Sequence, residues 1–207
     1  MTHPLRLHTA LSLGIALSLA LSACAQSPQA AVPTASRAAA YAGHFESECQ
    51  QLGEDFYTRD LIDLAPDDQG GVTARYAKAF HDADGCTPAS LVVVFQMPAT
   101  QWTFDGTTEV QGRMVDRIQT RPATAGGQLT ARQARAGSIE ETPTHFLMRR
   151  HGTGKGMPVE KAVDQAPSKE LRLLTSQRLY SSAADAAPGA YPTELDLDNY
   201  LQRKPAP

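Results

Sequence analysis

The residues of this chain with the most distinctive chemistry are its three cysteines, Cys24, Cys49 and Cys86. A cysteine can be acylated, can join a disulfide or can bind a metal, and its surroundings decide which. Cys24 ends a segment with Arg6 near its start and an apolar run at residues 11–21. This run has the length of the hydrophobic region of a secretory signal and is shorter than the roughly 20 residues needed to span a bilayer. The sequence therefore predicts a signal peptide at residues 1–23.

The residues around the cleavage point, Leu21-Ser22-Ala23-Cys24, resemble the lipobox of bacterial lipoproteins. The resemblance implies lipidation of the Cys24 thiol, cleavage before Cys24 and acylation of the new α-amino group, for example with palmitate. Two or more acyl chains hold a protein stably on a membrane, whereas one binds only marginally. Ala25, rather than Asp, after the cysteine resembles an outer-membrane sorting signal. The expected location is therefore the bacterial envelope, lipid-anchored in the outer membrane and facing the periplasm. The alternative is a plain secretory signal with a chance cysteine.

The other two cysteines are then left together in an oxidising compartment. If Cys24 carries lipid, only one intrachain pairing remains, and we expect a Cys49–Cys86 disulfide. A metal site or a catalytic thiol pair is the alternative. The chain has no CxxC spacing or neighbouring ligand cluster to favour it.

The histidines beyond residue 23 could support acid–base chemistry or metal binding. These are His44, His81, His145 and His151. None has the His-Glu-x-x-His spacing of a zinc site. His81 stands beside Asp82 and Asp84, but a turn is expected there, and Asp in turns needs no catalytic explanation. The glycines at residues 152–156 lack the spacing of a phosphate-binding loop, and there is no Gly-x-Ser-x-Gly elbow. We therefore predict no catalytic residue, no metal and no cofactor.

Composition limits the remaining classes of protein. The chain has 207 residues, of which 42% are hydrophobic, as expected for one globular domain and a tether. Its formal net charge of −3 argues against nucleic-acid binding, which needs a concentrated positive field. Residues 25–40 are mainly Ala, Ser and Pro without a large apolar side chain. We expect residues 24–40 to be a lipidated, disordered tether and residues 41–207 to fold. The alternative for the Ala-rich end of the tether is a turn or two of helix if it packs against the domain.

The folded part reads as short strands separated by turns. Strands are predicted at residues 45–49, 56–64, 72–80, 91–95 with an extension to 104, 110–118, 129–135, 144–149 and 171–180. Asp105-Gly106 is predicted to be a hairpin turn and residues 152–167 a loop. The apolar residues after Tyr191 predict a C-terminal strap across the sheet, followed by a tail. Consecutive strands with short turns imply an antiparallel meander.

About eight sequentially connected strands favour a mainly β protein with a closed or nearly closed barrel. A barrel of eight strands has an interior just large enough for one small ligand. Inward side chains could line a pocket or fill a core, since both use the same face. The candidates for lining are Tyr57, Tyr76, Phe95, Trp102 and Met114.

A set of short motifs resembles a known extracellular domain. In order, they are Gly43-His44-Phe45-Glu46-Ser47-Glu48-Cys49, Phe56-Tyr57-Thr58-Arg59, Tyr76, Asp84-Gly85-Cys86-Thr87-Pro88 and Gly106-Thr107-Thr108-Glu109. Their order and spacing are similar to those in the Wnt-antagonist family named for down-regulation by the adenomatous polyposis coli tumour suppressor. That domain is lipocalin-like, and the resemblance covers about residues 41–118. It implies a barrel with an apolar pocket suited to an acyl chain, with Cys49 and Cys86 as the family's first cysteine pair. The chain lacks the family's further cysteines and second repeat, and a bacterial lipoprotein has no Wnt partner.

Three classes of function remain open. The first is a non-catalytic carrier or sensor of a hydrophobic or lipid-like molecule, attached to the membrane through its N-terminal lipid. The second is an envelope assembly or protein-interaction module with a filled core and no small ligand. The third is an enzyme, which would need His81 or His145 to meet carboxylates from other strands. A filled interior or an open apolar mouth discriminates between the first two.

Overall fold

The protein is represented by a computed structural model that describes residues 34–205, except 55, 135, 151, 153–155, 164–165 and 184–185. All of these residues belong to one compact unit, Val32–Pro207. The predicted signal peptide at 1–23, the proposed lipid attachment at Cys24 and the tether up to residue 33 lie outside the described residues. None of the helices in the described ranges is long and apolar enough to span a membrane.

Short β-strands make up most of the described chain. The single α-helix of these ranges, α1, is Thr34–Tyr41, and two short 3-10 turns cover Asp84–Cys86 and Pro88–Ser90. The strands are β1 (Gly43–Glu46), β2 (Gln50–Leu52), β3 (Phe56–Pro66), β4 (Val72–His81), β5 (Leu91–Gln96), β6 (Thr100–Val110), β7 (Arg113–Pro122), β8 (Thr130–Gln133), β9 (Gly137–Glu141), β10 (His145–Arg150), β11 (Gly156–Glu160), β12 (Ser168–Leu174), β13 (Arg178–Ser182) and β14 (Leu195–Lys204).

Eight of these strands close into a barrel. Their order is β3-β1-β14-β13-β12-β7-β6-β4, and β4 pairs back onto β3. All pairs are antiparallel, and neighbours in the ring follow one another along the chain once β2, β5 and β8–β11 are set aside. The prediction of a mainly β, antiparallel meander closed as an eight-stranded, lipocalin-like barrel is confirmed.

The C-terminal segment differs from the predicted strap. Residues Leu195–Lys204 form β14, which pairs with β13 on one side and β1 on the other. This strand completes the ring, so its backbone polar groups are satisfied within the sheet. Its alternation of apolar and polar residues therefore marks a barrel strand.

The predicted hairpin at Asp105-Gly106 is wrong. Both residues lie within β6, where the register to β7 shifts between Phe104 and Thr107 and Gly106 has φ +82°. A glycine with positive φ in a strand is typical of a bulge as well as of a turn, and this explains the error. The chain reverses instead at Gln111 and Gly112, with φ of 51° and 70°.

A second core lies beside the barrel. The C-terminal half of β4, from Ala77 to His81, pairs with β5, and β5 pairs with β8. Strands β9–β11 form a separate three-stranded sheet. Phe95, Phe80, Phe146 and Met148 are buried among these elements. The strands β9 and β11 were not predicted, and β11 falls within the segment expected to be a loop. Their apolar residues, such as Ile139 and Val159, are few and alternate over only five positions.

Residues 34–40, expected to belong to the disordered tether, form most of α1 in the structure. Ala38 and Tyr41 are fully buried on one face of this helix. The Arg203 guanidinium donates hydrogen bonds to the carbonyls of Ala40, at 2.9 Å, and Ala42, and so caps the helix C-terminus. Small alanines allow the helix to approach the barrel closely, and composition alone does not reveal this packing.

The predicted Cys49–Cys86 disulfide is present. The sulfurs are 2.08 Å apart and the bond closes a sequence separation of 37 residues. It joins the start of β2 to the 3-10 turn that follows β4. The bond therefore fixes two loops at the same end of the β3–β4 hairpin.

Removal of this disulfide should strongly destabilise the domain. We expect the double variant Cys49→Ser/Cys86→Ser to lose about 4 kcal/mol of unfolding free energy, because the unfolded chain regains the entropy of the closed loop. Urea denaturation measures the loss. Reductant should destabilise the wild type and leave the double variant unchanged; a wild type insensitive to reductant would contradict the assignment.

The outer face of the barrel carries a histidine between two carboxylates. His44 Nδ1 lies 2.7 Å from Asp63 Oδ1, and Nε2 lies 3.0 Å from Glu46 Oε1, while Arg59 donates to the other oxygen of Glu46. Burial acts to lower the pKa of His44, but the hydrogen bonds to Asp63 and Glu46 outweigh it and the pKa is raised. The contacts between β1 and β3 in this cluster are therefore most stabilising when the imidazole is protonated.

This raised pKa makes the stabilisation by His44 dependent on pH. The contribution should be complete below the histidine's unfolded pKa and should be lost as pH rises through the higher folded pKa. We therefore expect His44→Gln to cost more unfolding free energy at about pH 5.5 than at about pH 8.5. Denaturant titrations at both pH values test this, and an equal cost at both would contradict it.

Candidate functional site

One end of the barrel is filled by large side chains. Tyr41 from α1 enters this end, and its ring packs edge-on against Trp102 at a centroid distance of 6.1 Å. The Tyr41 hydroxyl donates a 2.8 Å hydrogen bond to Asp116, which also pairs with Arg37 of the same helix. The other fully buried members of this core include Phe45, Ile62, Ile118 and Val72. The helix thus closes this end of the lumen.

The other end of the barrel is open and contains a cavity of about 720 Å³. The turn between β3 and β4 lies at the filled end, because Gly70 of this turn is next to Thr34 and Ala35 of α1. The cavity lies farther along the same two strands, beside Asp60 and Tyr76. A volume of this size is within the usual range for small-molecule sites. Its walls combine apolar and polar groups: Leu61, Tyr76, Met97, Leu179 and Leu201 with Asp60, Glu170, Arg172, Ser181 and Asn199.

Arg172 lies between the filled end and the open end of the lumen, where it forms the base of the cavity. Its guanidinium carbon lies 4.9 Å from the centre of the Trp102 ring, in the position of a cation–π contact. Nη2 donates to the Tyr76 hydroxyl at 3.2 Å and forms an ion pair with Glu170. The Arg172 side chain is only 11% exposed. A buried charge is therefore held in the lumen by an aromatic ring, a phenol and a carboxylate.

The contact between Arg172 and Tyr76 separates two cavities. Both residues, with Met97 and Glu170, also line a second cavity of about 340 Å³ that extends toward Thr100 and Thr120. Arg172 belongs to β12 and Tyr76 to β4, which are separated in the ring by β6 and β7. Their hydrogen bond therefore spans the lumen, and the bridge is the point that both cavities share.

The electrostatics of this bridge are set by burial. Removal from water raises the pKa of Tyr76 to about 12, so that the phenol stays neutral. Burial acts to lower the pKa of Arg172, but Tyr76 and Glu170 outweigh it and the pKa is raised. The arginine therefore remains charged at every physiological pH, with Glu170 as its counter-ion.

The five residues predicted to line a pocket lie in different places. Tyr76 lines both cavities, and Trp102 lines the smaller one while also forming the core beneath Arg172. Phe95 instead lies in the second core, since β5 is outside the barrel ring. Tyr57 lies on β3 opposite His81 and lines neither cavity, and Met114 is 61% exposed near the β6–β7 turn. Two of the five therefore lie at the site.

The sequence pattern does not point to Arg172 and Glu170 as site residues, because β12 carries its charged residues on the inward face. Opposite residues of an antiparallel pair share a face, and Glu170 pairs with the buried Ile118. Glu170, Arg172 and Leu174 therefore face the lumen. Leu171 faces outward, where it is fully buried with Val115 and Leu195. Charged residues at alternate positions in a strand were the available signal.

The histidines considered for catalysis do not lie at this site. His81 Nδ1 contacts the Thr87 carbonyl at 3.1 Å and Ser90 Oγ at 3.2 Å beneath the 3-10 turns, and burial lowers its pKa. His145 contacts Thr144 at the start of β10. Within the described part of the chain, no group of three or more His, Cys, Asp or Glu side chains is arranged to hold a metal ion.

The different places of Trp102 and Met114 predict different costs of truncation. We expect Trp102→Ala to lower the free energy of unfolding by about 3–5 kcal/mol, because the substitution leaves a void and removes the ring on which Tyr41 and Arg172 pack. Met114→Ala serves as the matched control and should change stability by less than about 0.5 kcal/mol. Thermal and urea unfolding measure both variants. Comparable losses in the two would contradict this placement.

No protein-family model, curated protein or solved structure was found to match this chain.

Proposed function

We propose that this protein is a lipid-anchored, lipocalin-like lipoprotein of the bacterial envelope that binds a hydrophobic or lipid-like molecule without catalysis. The observation that carries the proposal is the open cavity of about 720 Å³ in a closed eight-stranded barrel whose opposite end is filled by α1. A module that acts only through its outer surface has no need of an unfilled lumen, since voids cost packing energy.

The lining of the cavity supports an amphipathic ligand. Leu61, Met97, Leu179 and Leu201 offer apolar contact, and Met adapts to irregular shapes. The polar groups include Glu170 and Arg172 on β12 and others on β3, β13 and β14: Asp60, Ser181, Ser182 and Asn199. An apolar chain with one polar group satisfies both kinds of wall.

The position of α1 is compatible with the proposed anchor. The helix is the first described element and lies at the filled end of the barrel, opposite the cavity. Thr34, at the start of α1, lies beside Gly70 of the turn at this filled end, and an attachment through Cys24 is therefore compatible with a mouth that stays free to exchange ligand. The disulfide supports export to an oxidising compartment.

A cavity-filling variant tests ligand binding. Ser181 pairs directly with Arg172 and so faces the lumen. In the full chain carrying Cys24→Ser, we expect Ser181→Trp to weaken binding of the neutral probe N-phenyl-1-naphthylamine at least about tenfold, because the indole occupies the cavity. Ala65→Trp, on the exposed face of β3, is the matched control. Absence of probe binding to the parent chain would instead favour the interaction module.

The anchor is tested separately in the native host. We expect mass spectrometry of the membrane-purified protein to find Cys24 as the N-terminal residue with a thiol-linked lipid and an acylated amine. Cys24→Ser should abolish both the thiol-linked lipid and the cleavage before residue 24, because the expected processing acts on the cysteine thiol, and the variant should be recovered with residues 1–23 still attached. An unmodified Cys24 in the membrane-purified protein would contradict the proposal.

A further inference from the structure

We infer that the ligand carries an uncharged carbonyl group, as in an ester or amide of an apolar chain, which accepts hydrogen bonds from Arg172 and Tyr76. The inference rests on the proposed function and specifies the head group that the cavity selects. A buried arginine at the floor of a cavity suggests an ionised carboxylate at first sight. The contacts of Arg172 favour a neutral acceptor.

Two hydrogen-bond donors, Arg172 Nε and the Tyr76 hydroxyl, belong to residues that line both cavities. Arg172 Nε is buried and has no hydrogen-bond partner within the described part of the protein. The Tyr76 hydroxyl accepts a hydrogen bond from Arg172, and no described residue accepts its proton. A buried donor without a partner costs about 1–3 kcal/mol. An acceptor oxygen from a ligand would remove this cost, so the site selects for an acceptor.

The charge of Arg172 is already balanced. Glu170 forms an ion pair with Arg172 through one carboxylate oxygen and accepts a 3.1 Å hydrogen bond from Ser168 through the other. The other charges near the lumen are also paired: Asp116, opposite Arg172 on β7, lies 3.4 Å from Arg37, and Asp60 lies 3.1 Å from Lys78. An additional carboxylate would leave one uncompensated negative charge where solvent access is low, and such a charge is costly. A carbonyl oxygen satisfies the donors without this cost.

Glu170 therefore determines the charge of the head group that the site accepts. Its side chain is 25% exposed and lies at the point where a ligand head group would meet Arg172. The carboxylate occupies one edge of the guanidinium and repels a second anion. Removal of its charge without a change of shape should convert the site into one that accepts a free acid.

The test uses the full chain with Cys24→Ser and displacement of N-phenyl-1-naphthylamine by methyl decanoate or by decanoate. At about pH 8 the free acid is ionised. We expect methyl decanoate to bind at least about tenfold more tightly than decanoate. In Glu170→Gln, decanoate should bind about tenfold more tightly than before, and methyl decanoate should change by less than about twofold.

Two further variants separate head-group recognition from folding. Glu140→Gln changes a carboxylate that pairs with Arg149 on β10, away from the cavity, and should leave both affinities unchanged. Arg172→Met should weaken the binding of methyl decanoate about tenfold, because the ester loses one buried hydrogen bond from a charged donor. Arg172→Lys keeps the charge if the methionine variant unfolds, and it should also weaken the ester because the Nε donor is lost.

The outcomes distinguish this inference from the proposed function. The inference is overturned if the probe binds but decanoate equals or exceeds the ester in the parent chain, if neither compound displaces the probe, or if Glu170→Gln leaves the preference unchanged. In all three cases the probe still binds in the cavity, so the proposed function is not contradicted. Failure of the probe, the ester and the acid to bind at all would overturn the proposed function itself.

Discussion

Closure of the sheet is the constraint on which the rest of the structure depends. With β4 paired to β3 and β14 set between β1 and β13, each barrel strand has neighbours on both sides. Closure removes the exposed strand edges that would otherwise pair with other chains. It also fixes the diameter of the lumen, because eight strands enclose a space of limited width. The side chains can then fill this space or leave part of it open.

This barrel does both, and the division lies at Trp102. On the α1 side of Trp102, the buried side chains of Tyr41, Phe45 and Ile118 pack as an apolar core, with α1 as the closing element. On the other side, Arg172 lies on the indole face and the lumen opens. If apolar residues covered Arg172, its charge would be removed from water without a partner, and this would cost free energy. Tyr76 and Glu170 supply its partners, and the space around them is the candidate ligand site.

Charge balance gives this site its chemical character. An arginine with a counter-ion inside the protein presents N–H donors rather than a free positive charge. The same group without Glu170 would be an anion site. The expected ligand therefore depends on which face of β12 points inward, as much as on which residues β12 contains. That orientation is set by pairing with β7, where Ile118 lies opposite Glu170.

Much of the architecture could be predicted from the sequence, because it depends on local patterns. Alternating residues and Gly- or Asp-rich turns predicted β3, β4, β7 and the antiparallel order, and the two remaining cysteines predicted the disulfide. The errors arose where one local signal has two structural meanings. Gly106 fits a turn and a bulge equally well, and the apolar Leu171 fits an inward and a covered outward position.

What the sequence by itself determined is the class of protein that can fold here: a mainly β chain, barrel-forming, with one disulfide. Of the five side chains that it proposed for the lining, Tyr76 and Trp102 lie at the site, whereas Tyr57, Phe95 and Met114 do not. The tertiary structure alone decided that α1 fills one end, that β14 completes the ring, and that Arg172, Glu170 and Tyr76 meet between two cavities. The physical reason is that these contacts join strands distant in sequence, and the register between such strands is fixed by the closed sheet as a whole rather than by any local pattern.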